Sequence, residues 1–192
     1  MAAFEPAVAL VLRNEGGFVN NPNDPGGPTS MGITLAVLQT WRQTPLNAQD
    51  VASLTVKEAS AIYEAKYWRA VCGDRIASQA VANHCLDMSV LRGTGAAAKS
   101  MQGALGLTQD GAVGPKTLAA LNSNDPAQFL NLFRANCVAS FVNIVRARPT
   151  SLEFLPGWIR RSEQMAETVN SLLQRTSPQV VAADARPVVL RG

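Results

Sequence analysis

Residues 15–34 have the sequence Glu-Gly-Gly-Phe-Val-Asn-Asn-Pro-Asn-Asp-Pro-Gly-Gly-Pro-Thr-Ser-Met-Gly-Ile-Thr. Before them, the apolar side chains of residues 4–14 recur on one helical face, which predicts a helix. The pair Gly16-Gly17 predicts the end of that helix. The Asn, Pro and Gly residues that follow predict turns or a small irregular hairpin over residues 18–34. Glu15 therefore lies where a helix ends and a turn-rich segment begins.

Helical patterns dominate the rest of the chain. Thr34, Thr55 and Asp125 are typical N-cap residues, and each precedes an apolar helical pattern. Prolines and a glycine interrupt the pattern between residues 149 and 157, where we expect a loop. The predicted helices span residues 35–42, 55–71, 76–91, 96–105, 115–121, 126–148 and 158–174. The predicted fold class is mainly α, with a small β-hairpin or irregular turn element near residues 18–34.

Gly93 and Gly95 lie between two predicted helices and indicate a soft boundary. We expect residues 1–93 to form one part of the protein and residues 94–176 to form a second, helical part packed against it. Residues 177–192 mix Pro, Ala and Val without periodicity, so we expect a flexible tail.

Composition narrows the function classes. The chain of 192 residues is 47% hydrophobic, which suffices for a core, yet it has no apolar run long enough for a transmembrane helix. Its three cysteines lack zinc-site spacing, and His84 is the only histidine. The net charge of +3 arises in residues 101–192, which hold 9 basic and 6 acidic side chains. This mild excess suits a polyanionic partner such as a cell wall or a nucleic acid, or an ordinary solvated surface.

The turn-rich segment contains an acid, a second carboxylate and a hydroxyl. Glu15 faces the negative end of the helix dipole, which disfavours its charged form and suits a general acid. Asp24 lies among Pro and Gly residues, where a solvated carboxylate either forms a turn or acts as a base. Thr29 is placed to hold a water molecule. Two carboxyl groups in different surroundings are what the cleavage of a glycosidic bond needs, although an exposed helix end explains Glu15 equally simply.

The segment resembles the signature of glycoside hydrolase family 108, through Glu15-Gly-Gly-Phe and the residues from Asn23 to Thr34. The chain also resembles the family in Tyr67-Trp68, in residues 86–90, in residues 105–121 and in Phe154-Leu-Pro-Gly-Trp-Ile-Arg-Arg. This family comprises N-acetylmuramidases found among phage endolysins and in wall-modifying or secretion-assisting bacterial proteins. The resemblance therefore implies a lysozyme-like helical fold, with residues 1–93 as the catalytic part and residues 94–176 as a peptidoglycan-binding part.

The same resemblance implies roles for individual residues. Glu15 corresponds to the essential acid of the family, and the spacing of Glu15, Asp24 and Thr29 is similar to the Glu/Asp/Thr triad of phage-type lysozymes. For substrate contacts we expect Gly32, Thr34 and the pair Tyr67-Trp68. Glycine lets the backbone approach a sugar closely, and an aromatic ring can stack on one.

The expected partner is a peptidoglycan glycan strand, cut between N-acetylmuramic acid and N-acetylglucosamine by a monomer that needs neither metal nor cofactor. We expect no binding to nucleic acid and no stable insertion into a membrane. The N-terminus lacks the basic and apolar regions of a signal peptide. We therefore expect cytoplasmic synthesis, holin-type or dedicated release, and action on periplasmic or cell-wall peptidoglycan. The alternatives are a lytic transglycosylase and a non-catalytic wall-binding or secretion-assisting protein.

Overall fold

The structure is a computed structural model that describes residues 1–20 and 27–176. Its α-helices are α1 (Phe4–Glu15), α2 (Leu35–Arg42), α3 (Ala48–Ala52), α4 (Val56–Tyr63), α5 (Gln79–Arg92), α6 (Thr94–Ala104), α7 (Pro115–Ser123), α8 (Pro126–Ala147) and α9 (Leu155–Thr176). Two short strands, β1 (Thr29–Ser30) and β2 (Ile33–Thr34), lie between α1 and α2. These elements confirm the predicted mainly α fold with a small β element.

Helix α5 lies at the centre of the fold and packs against α1, α6 and α8. Small side chains such as Ala7 on α1 and Ala82 on α5 are fully buried, which lets neighbouring helices approach closely. Helix α9 packs along α8 and returns the chain to the C-terminal end of α1, where Gln164 and Asn14 exchange two side-chain hydrogen bonds of 2.9 and 3.1 Å. The last long helix thus reaches the segment that holds Glu15.

Strands β1 and β2 form an antiparallel hairpin in which Thr29 pairs with Thr34. Its two-residue turn is Met31-Gly32, and both residues have a positive φ (47° and 71°), as a type I′ turn requires. Val19 extends the ladder through backbone hydrogen bonds of 2.8 and 2.9 Å with Thr29. The chain that leaves α1 is therefore tied to the hairpin.

The segment predicted as one helix over residues 55–71 is α-helical only from Val56 to Tyr63. Thr55 caps α4 by accepting a hydrogen bond from the backbone N–H of Glu58 (3.2 Å). In a capping box the Glu58 side chain would accept a hydrogen bond from the backbone N–H of Thr55. That bond is absent among the described contacts, because the Glu58 carboxylate instead pairs with Arg42 (2.7 Å). After Tyr63 one wider π-helical turn, Glu64–Trp68, continues the helix.

The segment between α8 and α9 differs from the prediction. A loop was expected from residue 149 to 157, but Pro149–Phe154 forms a 3₁₀ segment and α9 begins at Leu155. The prolines do not break the helices, because each stands near a helix start, where its missing N–H has no partner to lose. The division at residue 93 remains a prediction, and the predicted tail at residues 177–192 lies outside the described residues.

None of the helices in residues 1–20 and 27–176 is both long enough and apolar enough to cross a membrane.

Candidate active site

Glu15 is the last residue of α1, and its side chain is 17% exposed. Gly16 follows with φ 72° and ψ −170°, a conformation that ends the helix and favours glycine. The Glu15 Oε1 atom accepts a hydrogen bond of 2.6 Å from Nη1 of Arg161 on α9. The carboxyl group is therefore held in place but is still reached by solvent.

The hairpin turn lies directly against Glu15. A Cβ atom placed on Gly32 would overlap Oε2 of Glu15 and would lie 2.6 Å from the Tyr63 hydroxyl oxygen. Only glycine leaves room for the carboxyl group at this point. The Tyr63 hydroxyl donates a hydrogen bond of 2.6 Å to the backbone carbonyl of Met31, which fixes the turn over the carboxyl group.

Tyr63 and Tyr67 form an aromatic wall beside Glu15. Their ring centroids are 5.7 Å apart, and Tyr67 is only half-buried. Burial raises the pKa of both hydroxyls, and the negative charge of Glu15 raises each pKa further. Both groups therefore remain protonated near neutral pH, and Tyr67 is available as a neutral hydrogen-bond donor to a ligand at Glu15.

A buried ion-pair network lies behind the Glu15 carboxyl group. The Asp87 side chain is fully buried, and its two carboxylate oxygens accept hydrogen bonds of 2.9 and 2.7 Å from Nε and Nη2 of Arg161. Asn14 donates a further hydrogen bond of 2.9 Å to Asp87. Burial disfavours the charged form of Arg161. The hydrogen bonds and negative charge of Asp87, followed by those of Glu15, outweigh this effect and hold the pKa of the guanidinium above its usual value. One arginine thus connects two acids from different helices.

The sequence indicated part of this network. Asp87 is an acid within an apolar helix, and such an acid needs a partner such as an arginine. Arg161 is the last residue of the segment Phe154-Leu-Pro-Gly-Trp-Ile-Arg-Arg, in which the chain resembles the family. No local pattern marks it as a neighbour of Glu15, because 146 residues separate the two.

The two threonines predicted for the site both lie in the hairpin. The Thr29 hydroxyl donates a long hydrogen bond of 3.4 Å to the carbonyl of Gly27, and its side chain is half-buried. The Thr34 hydroxyl accepts a hydrogen bond of 3.3 Å from the backbone N–H of Val37 as the N-cap of α2. Thr34 therefore has a structural role that the sequence also predicted. Asp24, the predicted second carboxylate, lies outside the described residues.

Trp68 lies in the core and not at the site. Its side chain is 1% exposed, and its indole N–H donates a hydrogen bond of 2.7 Å to Asp74. Phe4 packs on the ring with a centroid distance of 5.6 Å, and Gly73 lies so close to the ring that a Cβ atom would overlap it. No face of the indole is free to stack on a sugar, so of the expected aromatic pair only Tyr67 remains available.

His84 and the cysteines do not join the site. The His84 ring is buried, its Nε2 atom lies 2.8 Å from the Thr168 hydroxyl, and burial lowers its pKa to about 4. The thiols are free, and those of Cys85 and Cys137 are buried. Within residues 1–20 and 27–176, no three His, Cys, Asp or Glu side chains converge as they would around a metal ion.

Comparison with known proteins gives two family matches that cover consecutive parts of the chain. Residues 8–93 match the model described as glycosyl hydrolase 108, and residues 96–163 match the model described as a predicted peptidoglycan domain. No curated protein matches the sequence significantly.

Among solved structures, SagA of Brucella abortus superposes with a TM-score of 0.75 at 33% sequence identity. The match covers 88% of this chain and 94% of that of SagA. The two family matches support a protein that hydrolyses or binds peptidoglycan. The chain therefore belongs to the glycosyl hydrolase 108 family, and a peptidoglycan domain follows the part that matches the hydrolase model.

Proposed function

We propose that the protein is an N-acetylmuramidase that hydrolyses the β-1,4 bond between N-acetylmuramic acid and N-acetylglucosamine in peptidoglycan. The observation that carries this proposal is the position of Glu15. Its carboxyl group lies between the Gly32 turn and the Arg161 guanidinium, is partly open to solvent, and has Tyr67 beside it.

The proposed reaction starts from the protonated form of Glu15, which donates its proton to the glycosidic oxygen as the bond to the sugar breaks. The ionised form that this step leaves is the one that pairs with Arg161. Negative charge then develops on the Glu15 carboxylate. Arg161, 2.6 Å from Oε1, stabilises that charge without having to move. The arginine is itself held by Asp87, so the stabilising group is in position before the reaction begins.

The second half of the reaction needs a group that activates water or stabilises the oxocarbenium-like transition state. We assign this role to Asp24, with Thr29 as its helper, on the strength of the family resemblance. Thr29 lies in the strand that leads into the Gly32 turn, on the same hairpin that contacts Glu15. This position supports the assignment.

The test is mass analysis of the fragments that the purified protein releases from peptidoglycan sacculi. We expect fragments with reducing N-acetylmuramic acid ends. Glu15→Gln should slow their release by about 10²- to 10⁴-fold, the usual contribution of a general acid. Glu163→Gln is the matched control, because it makes the same chemical change in an exposed carboxylate that pairs with Arg134.

The other possible results of this experiment would contradict the proposal or indicate a different function. Wild-type activity in a folded Glu15→Gln protein would contradict the role of Glu15. Anhydro-muramic acid ends would indicate a lytic transglycosylase. Binding to sacculi without release of fragments would indicate a wall-binding or secretion-assisting protein.

We further propose that the enzyme acts on the bacterial wall as an endolysin. The family resemblance supports this role, since phage endolysins are among its members. Expression in bacteria with and without a membrane-permeabilising holin tests it. Lysis that needs both the holin and Glu15 is expected, and growth unaffected by their combination would contradict the proposal.

A further inference from the structure

A groove runs along the start of α9, away from Glu15. It consists of two adjoining hollows of about 450 and 350 Å³ that share Leu91, Phe154 and Trp158 as lining residues. We call it the Phe154 groove. Its walls are the C-terminal end of α5, the last turns of α8, the 3₁₀ segment and the first turns of α9.

One end of the Phe154 groove adjoins the candidate active site. Asn14 and Arg161 line the first hollow, and Arg161 is the residue that binds Glu15. Arg161 therefore links the groove to the candidate active site.

The groove is lined by aromatic rings, one of which is unusually exposed. Phe154 is 54% exposed, and its ring stacks on that of Trp158 with a centroid distance of 6.1 Å. Trp158 in turn packs on Phe141 at 5.4 Å, which holds the stack in place. An exposed ring fixed against the core is a contact surface that loses little entropy when a ligand binds.

The groove carries more positive than negative charge, because its lining includes Glu153 but also Arg92, Arg148, Arg160 and Arg161. Arg148 and Arg160 line it and are exposed, and neither guanidinium has a hydrogen bond or an ion pair within residues 1–20 and 27–176. Arg92, by contrast, is bound to the hydroxyls of Ser100 and Ser140 and lies over the Phe141 ring. The two exposed arginines are therefore free to bind carboxylates from a ligand.

We propose that the Phe154 groove binds the acidic stem peptide that is attached to the muramic acid of the substrate strand. This inference rests on the proposed function. The glycan strand itself is largely uncharged, whereas the stem peptide carries carboxylates and apolar alanyl side chains. The stem begins on a sugar next to the bond that is cut, and the groove begins at the arginine next to Glu15. Charge, apolar lining and position therefore agree on this occupant.

The experiment compares cleavage of two substrates, intact peptidoglycan and glycan strands from which an amidase has removed the stem peptides. Arg148→Glu, Arg160→Glu and Phe154→Ala are the test variants. Arg146→Glu is the matched charge control, since Arg146 lies near Arg148 at the end of α8 but does not line the groove. Leu152→Ala is the matched apolar control, since Leu152 is 59% exposed in the same 3₁₀ segment as Phe154.

We expect each arginine reversal to lower kcat/KM on intact peptidoglycan about 10-fold, as the loss of one charged contact predicts. Cleavage of stripped strands should change less than about 2-fold. Both controls should match the wild type on both substrates. Equal losses on the two substrates, or no loss on either, would overturn the proposal.

Two further measurements separate the remaining outcomes. If wild-type protein cleaves neither substrate, the proposed function fails, and calorimetry with a soluble muramoyl peptide still tests the groove on its own. Binding that Arg160→Glu weakens supports the groove proposal, and absence of binding overturns it.

Sedimentation of the variants tests a second copy as occupant. A dimer lost in Phe154→Ala, without any change in stem-dependent cleavage, would overturn the proposal.

Discussion

The strongest structural prediction concerns Arg161, because it pairs with an acid that has no access to water. The Asp87 side chain is fully buried and that of Arg161 is 11% exposed, and their hydrogen bonds of 2.7 and 2.9 Å are in near-ideal bidentate geometry. Arg161→Gln removes the charge and leaves the Asp87 carboxylate with Asn14 as its remaining described side-chain donor. A buried charge that loses its partner destabilises a protein by about 3–5 kcal/mol.

A second arginine, which pairs with an exposed acid of α9, provides the control. Arg134 on α8 pairs with Glu163 on α9 at 2.6 Å, but the two side chains are 34% and 47% exposed. Water screens this pair, so Arg134→Gln should cost about 0–1 kcal/mol. The two substitutions are chemically identical. The difference of about 3 kcal/mol between them comes from the burial of the Arg161 pair and from its second partner, Glu15.

Urea unfolding followed by circular dichroism measures both losses. Since small domains are stable by about 5–15 kcal/mol, Arg161→Gln should still fold. Asp87→Asn added to Arg161→Gln removes the unpaired charge, so the double variant should be more stable than the sum of the single losses by about 2 kcal/mol. Equal losses for Arg161→Gln and Arg134→Gln, or strict additivity with Asp87→Asn, would refute the reasoning.

Three further predictions follow from the site and from the core. Gly32→Ala places a methyl group on the Glu15 carboxyl oxygen, so hydrolysis should fall about 100-fold, as misplacement of a reacting group by about 1 Å predicts. Tyr63→Phe removes the hydrogen bond to the turn and should lower the free energy of unfolding by about 1 kcal/mol in urea. The buried ring of His84 binds a proton only near pH 4, whereas the unfolded chain binds it near pH 6.5. Between these values the unfolded state binds more protons than the folded state. The stability that neutral His84 provides is therefore present above pH 6.5 and is lost as the pH falls to about 4. The loss in the free energy of unfolding should be on the order of 3 kcal/mol.

Each of these three predictions has a result that would contradict it, and Gly32→Ala also has a control variant. Gly106→Ala matches Gly32→Ala, because Gly106 also has a positive φ (66°) but has no atom within 4 Å of an added Cβ. An equal loss of activity in both would attribute the effect to backbone strain. For Tyr63→Phe, an unchanged unfolding free energy would contradict a stabilising role for the bond. His84 is the only histidine, so its NMR signals need no assignment, and titration near pH 6.5 in the folded protein would contradict the third prediction.

Local patterns in the sequence were sufficient to predict the helix ends and caps. Thr34 and Asp125 cap α2 and α8 as expected, and Gly16 ends α1 directly after Glu15. A cap depends on residues within three or four positions, so its signal is contained in a short window of sequence. The turn at Gly32, where φ is positive, also lies within a short Gly-rich segment. The expected role of Glu15 came from the resemblance of this segment to the family.

The positions of Tyr67 and Trp68 could not be predicted from local sequence patterns. The two residues are adjacent, and both were expected at the substrate. Because one π-helical turn and the packing of Phe4 and Gly73 place Trp68 in the core, only Tyr67 remains beside Glu15. Nothing within a short window distinguishes the two rings.

The surroundings of Glu15 were decided by tertiary structure. Arg161 is 146 positions away along the chain and reaches Glu15 only because α9 packs back toward α1 and α5. The charge at the site and the groove beside it both depend on that packing. Sequence alone placed an acid at the end of a helix, and the return of α9 supplied the charged partner that stabilises its carboxylate.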